Sequence, residues 1–200
     1  EHAAVGVPEL VKLLADEAPD VRSSAAEALS RLGEHAAAGL PELVKLVADK
    51  DSSVMSSAHS ALHELGEHAA VAVPELVKLL ADEDPDVRSS AAKAVGRLGE
   101  HAVDGVPELV KLLADEDSDI RSSAADALGR LGEHAASAVP ELVRLLADEA
   151  SRVSSSAHSA LRELGEHGAA GVPELVKLLA DEDPDVRSFA AHAQSTRTLT

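Results

Sequence analysis

The sequence predicts an all-α fold, a solenoid of six stacked helical hairpins, on three observations. Glu-His returns at 1–2, 34–35, 67–68, 100–101, 133–134 and 166–167, an interval of 33 residues each time, and a fixed period of this length marks a repeat architecture. Within a unit, a proline opens an apolar run at helical spacing: Val7, Leu10, Val11 and Leu14 lie at i, i+3, i+4 and i+7 around Pro8. The first five units close on a glycine (Gly33, Gly66, Gly99, Gly132, Gly165), the residue that ends helices at φ > 0. The units are 1–33, 34–66, 67–99, 100–132, 133–165 and 166–200. No linker or composition break separates them, so 1–200 reads as a single array. Units 2 and 5 share Ser-Ser-Ala-His-Ser-Ala-Leu at 56–62 and 155–161, which suggests duplication of a triplet.

Each element of a unit has a local cause. Pro8 fits the first turn of a helix, where its missing N–H costs nothing, and Glu9 lies near the positive end of that helix dipole. The Ala-rich stretch before it, Glu1–Gly6, reads as a short helix bent at the proline or as a loop. Asp16-Glu17-Ala18-Pro19-Asp20 is a turn with a second helix-opening proline. In other units Asp84, Asp117 and Asp183 stand at the N-cap. The second helix buries Val21, Ala25, Ala28, Leu29 and Leu32, and Gly33 stops it. One hairpin cannot cover apolar residues on both helices, but stacked hairpins cover one another.

Composition excludes several function classes. The chain is 45% apolar yet has no Trp or Tyr and a single Phe, Phe189, so Ala, Val and Leu must form a core of closely spaced helices. Zero Cys removes disulfides and thiolate chemistry and leaves the redox compartment undecided. Thirty-six acids against 18 bases give a charge of −18, which repels phosphate backbones and anionic membranes, so neither nucleic acid nor membrane is an expected partner. No signal peptide or transmembrane segment is visible, and an intracellular location is the expectation.

Pro8…Asp16…Val21-Arg22…Ala25…Ala28-Leu29…Leu32-Gly33 resembles the HEAT-repeat consensus, in particular that of phycobilisome-lyase-like HEAT repeats, and the resemblance runs through all six units. It implies a right-handed α-solenoid with first helices convex and second helices concave, and a concave face that binds a protein or peptide. It also implies an Asp–Arg ladder with Asp16/Arg22, Asp82/Arg88, Asp115/Arg121 and Asp181/Arg187 as rungs. Unit 2 has Asp49 but Met55 in the arginine's place, and unit 5 has Asp148 but Ser154, with Arg152 two places off. The ladder should break at both. The resemblance further implies two alternatives to a scaffold: a tetrapyrrole-lyase-like enzyme component, and a structural or designed array without a ligand. Repeats this alike fit recent duplication and consensus-based design equally.

No catalytic, cofactor-binding or metal-binding residues are expected. Equivalent positions of stacked units lie about 10 Å apart, whereas metal ligands sit about 2 Å from one ion, so the Glu-His row cannot share a metal. It reads as helix-end capping or hydration, with a pH-responsive histidine row as the alternative. Deoxyhypusine hydroxylase, a HEAT enzyme, places His-Glu iron ligands just after the Val-Arg position; here those places hold Ser23-Ser24 and its equivalents, down to Ser188-Phe189. His63-Glu64-Leu65-Gly66-Glu67-His68 lacks the i, i+4 spacing of the zinc-protease H-E-x-x-H. The Ser-Ser pairs have no nucleophile elbow and read as surface filler.

The second helix carries the candidate binding stripe. Opposite the expected core lie Ser23, Ala26, Glu27 and Ser30, with Ser56/His59/Ser60/His63, Ser89/Ala92/Lys93/Gly96, Ser122/Ala125/Asp126/Gly129 and Ser155/His158/Ser159/Arg162 as equivalents. His59 and His63 share a face and are expected to be solvated. The partner-binding candidates are Glu27, His59, His63, Lys93, Asp126, His158 and Arg162. At the ends, no polar cap precedes the first unit, which fits end-to-end self-association or continuation in a longer array. In the last helix Gln194 and Arg197 replace Leu29 and Leu32, giving a polar cap or a frayed end.

Overall fold

The computed structural model describes residues 6–167 together with 176, 177, 179, 180, 182, 184, 187, 188 and 191. The described residues are all-α, without strands, and repeat one helical hairpin, as in α-solenoids. First helices are short: α1 (Val7–Leu13), α3 (Leu40–Lys45), α5 (Val73–Leu79), α7 (Val106–Leu112) and α9 (Val139–Arg144). Second helices are longer: α2 (Pro19–Ser30), α4 (Ser52–Leu65), α6 (Pro85–Leu98), α8 (Ser118–Arg130) and α10 (Ser151–His167). Hairpins are joined by 3₁₀ segments at Gly33–Gly39, Gly66–Ala72, Gly99–Gly105 and Gly132–Ala138. The Ala-rich stretch before Pro41, Pro74, Pro107 and Pro140 is therefore a helical turn that leads into the first helix, while residues 1–5, before Pro8, lie outside the described residues.

The helix ends follow the local chemistry. Pro8, Pro41, Pro74 and Pro140 sit in the first turns of their helices. Asp84 caps α6 by accepting the Asp86 N–H at 2.9 Å, and Asp117 caps α8 by accepting from Asp119 at 2.7 Å. Asp51 does the same for α4, accepting from Ser53 and Val54; these hydrogen bonds, the Ser53 hydroxyl's first, hold its carboxyl below the usual range. Asp183 lies outside the described residues. Gly33, Gly66, Gly99 and Gly132 have φ between +50° and +57°, the left-handed conformation that stops a helix with little strain only at glycine. Gly165 departs from this pattern, since α10 runs on to His167.

The chain falls into two compact units, Glu1–Gly105 and Val106–Thr200. In the first, Leu14, Leu29, Leu43, Leu62, Leu76 and Leu80 are fully buried between first and second helices. The expected inward set recurs there: Val54, Ala58, Ala61, Leu62 and Leu65 of α4 are all buried. In the second unit Leu109, Ile120, Leu128, Leu142 and Leu164 take the same places. Gln194 and Arg197 lie outside the described residues, so the reading of the last helix has no counterpart here. Among the described residues no helix is long and apolar enough to cross a membrane.

Candidate functional site

The second helices meet neighbouring second helices along one side, and this junction decides what the outer face offers. Between α2 and α4, Arg22 donates from Nε and Nη2 to both carboxylate oxygens of Asp49, each at 2.9 Å. Its Nη1 donates to the carbonyls of Asp16 and Glu17 at 2.8 and 3.1 Å. The fork is bidentate and charge-assisted, and the hydrogen bond to Asp49 is the main reason the guanidinium binds its proton more tightly than usual. Below it Ala26 is fully buried, and Ser30 Oγ contacts a carboxylate oxygen of Glu64 on α4.

The junction between α8 and α10 repeats this plan in the other unit. Arg121 donates to Asp148 at 2.8 and 3.0 Å and to the carbonyls of Asp115 and Glu116 at 2.9 and 3.0 Å. That ion pair holds the Asp148 carboxyl below its ordinary range. Ser122 and Ser156 share a hydrogen bond at 2.9 Å. A Cβ on Gly129 would lie 2.9 Å from the Ala160 Cα, so the backbones meet where only glycine fits. Arg152 adds an exposed bridge to Asp119 at 2.8 Å.

These contacts correct the expected rungs. Arg22 takes only the backbone carbonyl of Asp16, and Arg121 only that of Asp115; the carboxylate each grips belongs to the following repeat, 27 residues on. The Asp16 carboxylate instead accepts the Ala18 N–H within its own turn. Arg88 likewise donates to the carbonyls of Asp82 and Glu83 at 2.8 and 3.1 Å. Arg187 donates to the Glu182 carbonyl, while Asp181 lies outside the described residues.

The junction between α4 and α6 is built differently. Where α2 presents Arg22, Ala26 and Ser30, α4 presents Met55, His59 and His63. The Ser90 hydroxyl donates to Met55 Sδ at 2.8 Å. His59 Nε2 lies 3.0 Å from the Ser90 carbonyl and His63 Nδ1 lies 2.8 Å from the Arg97 carbonyl; since a carbonyl only accepts, both ring nitrogens are N–H donors. Large side chains hold the two helices apart, and α4 meets α6 over a shorter stretch than it meets α2. A cleft of ≈ 360 Å³ opens there, with Asp49, Lys50 and Met55 on one side and Asp84, Asp86 and Lys93 among the residues on the other.

The stripe expected to face solvent is therefore divided. His59 is 4% exposed, not solvated as expected, and burial pushes its pKa down to about 4. Ala26, Ser30, Ser89, Ala92, Ser122, Ala125 and Gly129 are buried as well. A stacked helix is covered on its core side and on its junction side, which leaves a narrower outer strip than a single hairpin suggests. Glu27, His63 and Lys93 stand on such a strip in the first unit and Asp126, His158 and Arg162 in the second, all exposed. The serine pairs are surface filler only in part: Ser24, Ser56 and Ser155 are exposed, whereas Ser90, Ser122 and Ser123 are buried, and Ser23 Oγ is buried without a hydrogen-bond partner. Sequence reasoning noted Met55 as a departure but missed the cleft beside it; the one-residue break in the arginine column was the signal. Among the described residues no three His, Asp or Glu side chains are grouped to hold a metal ion.

Comparison with known proteins agrees with this architecture. The HEAT-repeat family model matches residues 7–73, 58–105 and 73–162. An engineered protein of known crystal structure is 31% identical over 94% of both chains, with a TM-score of 0.59. The CpcE–CpcF complex of phycocyanin lyase from Nostoc sp. PCC7120 aligns over 78% of this chain and 98% of the matched one, at 23% identity and a TM-score of 0.62. Importin beta aligns over 92% of this chain and 30% of its own, at 19% identity and a TM-score of 0.68; at such identities the likeness is one of fold. No curated protein matches the sequence. With the family model covering most of the chain and the hairpin repeating beneath it, this protein belongs to the HEAT-repeat family.

Proposed function

We propose that the chain is a non-enzymatic scaffold that binds a protein or peptide along the outer strip of its second helices. The observation that carries this reading is where the repeats differ. At the junction position three of the first five repeats carry a buried alanine, Ala26, Ala92 and Ala125, and the other two carry His59 and His158. One position on, Glu27, Ser60, Lys93, Asp126 and Ser159 are all exposed and differ in charge and size. A junction position limited to alanine and histidine, with acidic, basic and neutral residues beside it, suits a surface that reads a partner position by position. The fold shared with importin beta and with the CpcE–CpcF complex is consistent with this use. Glu27, His63, Lys93, Asp126, His158 and Arg162 are the contacts proposed. Without Trp or Tyr, the usual interface anchors, the strip contributes charge and hydrogen bonds, and the partner supplies the apolar anchors.

The test is capture of a partner followed by direct measurement of its affinity for strip variants. Glu27→Lys with Lys93→Glu should weaken binding by about tenfold or more, since rim charges set recognition. Reversing Lys12 and Lys78 on the first helices should leave it within about twofold. Equal loss in both variants would sink the assignment of the strip. A spectral change on adding a bilin, with the strip variants unaffected, would replace the scaffold reading by the lyase-like one.

A further inference from the structure

The cleft at Met55 lies where the other ladder repeats hold a guanidinium. Arg22, Arg88 and Arg121 each turn Nη1 onto two carbonyls of their own hairpin turn, at 2.8–3.1 Å. Arg22 and Arg121 also grip the aspartate of the next repeat with Nε and Nη2. In unit 2 the acceptors are present and the donor is missing. The carbonyls of Asp49 and Lys50 correspond to those of Asp16 and Glu17, and Asp82 corresponds to Asp49. Among the described residues no side chain donates to the Asp49 or Lys50 carbonyl, and the Asp82 carboxylate accepts only the Asp84 N–H, at 2.9 Å. The Met55 side chain has no N–H to offer, and its sulfur accepts from the Ser90 hydroxyl of α6.

We propose that this cleft receives the guanidinium of an arginine in a partner peptide, which completes the broken rung from outside. The inference rests on the scaffold reading above and names one of its contacts. Asp84 and Asp86 line the cleft together with Asp49 and Lys50 and add negative charge, and Asp82 lies in the same turn as Asp84. The Asp49 and Lys50 carbonyls and the Asp82 carboxylate are the repeat equivalents of the acceptors that the Arg22 and Arg121 forks engage, a set that selects arginine over lysine, whose ammonium is a point donor. Lys50 and Lys93 line the same cleft, so a polybasic segment is repelled and an isolated arginine is the better fit. The Met55 thioether gives the guanidinium a polarizable surface to rest on.

The full chain, labelled with 15N, is titrated at low salt with two blocked peptides, acetyl-Gly-Arg-Gly-amide and acetyl-Gly-Lys-Gly-amide. The arginine peptide should give saturable amide shifts at residues 49–51, 82–84 and 86, with the lysine peptide about fivefold weaker or more. Met55→Arg supplies the rung internally and should abolish these shifts, whereas Met55→Leu should keep the affinity within about twofold. Asp82→Asn, which keeps the oxygen that accepts the Asp84 N–H, should weaken binding about tenfold. No saturable shift, equal affinity for the two peptides, or undiminished binding by Met55→Arg would overturn the proposal. Any of these with partner capture still lost in the strip variants sinks the cleft alone. Any of these with partner capture unchanged in the strip variants sinks the scaffold reading with it.

Discussion

The α2–α4 and α4–α6 junctions are built from variants of one 33-residue repeat, and they differ most at three side chains that face the next second helix. Arg22, Ala26 and Ser30 let α2 lie along α4, with a guanidinium tying the turn ends together. Met55, His59 and His63 keep α4 farther from α6, and two imidazole–carbonyl hydrogen bonds replace the ion pair. The α8–α10 junction, with Arg121, Ala125 and Gly129, follows the first plan in the other unit. Within each unit, then, the sealed junctions carry small side chains beneath an arginine and the open one carries methionine and two histidines, which makes side-chain volume at these positions the variable to test.

The largest effect should come from forcing the open plan on a sealed junction. Ala125 is completely buried, and the neighbouring Gly129 has no room for a methyl group. Ala125→His should cost about 3 kcal/mol or more, from overpacking and from an imidazole whose polar atoms lack partners. Urea unfolding of variant and parent measures this. A change below about 1 kcal/mol would mean that residue size does not set the spacing.

Acid should act on the open junction through His59. Burial is the leading cause of its depressed pKa, the carbonyl of Ser90 opposes the shift, and Arg97 and Lys93 on α6 add to it. A histidine held neutral in the fold but free to protonate when unfolded makes the unfolded state bind more protons. Stability is therefore full above the unfolded value near 6.5 and falls with pH down to about 4. The total is roughly 3 kcal/mol. Other groups titrate over part of this range, so the measurement is the difference in unfolding free energy between parent and His59→Ala at pH 7 and at pH 4.5. A difference that does not vary with pH would show that His59 is hydrated in the fold.

Much of this architecture is legible in the sequence, because a repeat writes the same local rules many times. The prolines, the aspartate caps and the glycines with positive φ act within a few residues, and the i, i+3, i+4 pattern needs no knowledge of neighbours. The junction is harder to see. Its residues are Ala, Ser and Gly, which carry little apolar signal, and a hairpin read alone has one buried side where a stacked one has two. His59 and Ser122 look like surface residues for that reason. The ladder shows the same limit: Arg22 has Asp16 six residues before it and Asp49 27 residues after it. Sequence separation does not say which carboxylate it grips.

The sealed junctions can also be loosened at their ends. Arg121→Met copies the unit 2 residue into unit 4, removes both bonds to Asp148, and leaves the Asp115 and Glu116 carbonyls to water. The pair is partly open to solvent, so the cost should be about 1–2 kcal/mol, with a smaller loss at high salt. Thermal unfolding at two salt concentrations separates the electrostatic share. A cost that does not respond to salt would assign the arginine's role to the packing of its stem.

The smallest expected effect tests whether polar contacts or small volume dominates the sealed plan. Ser30 Oγ bonds to the Glu27 carbonyl and to the Glu64 carboxylate. Alanine is of similar volume and a better helix former. Glu64 stands exposed and rehydrates when the hydroxyl is removed, so Ser30→Ala should cost only about 0.5 kcal/mol. Ser30→His, which copies His63, should cost several times more, because it brings bulk to a position where α2 and α4 already touch. If the alanine variant proved as damaging as the histidine one, the hydroxyl rather than the space it leaves would be what closes the α2–α4 junction.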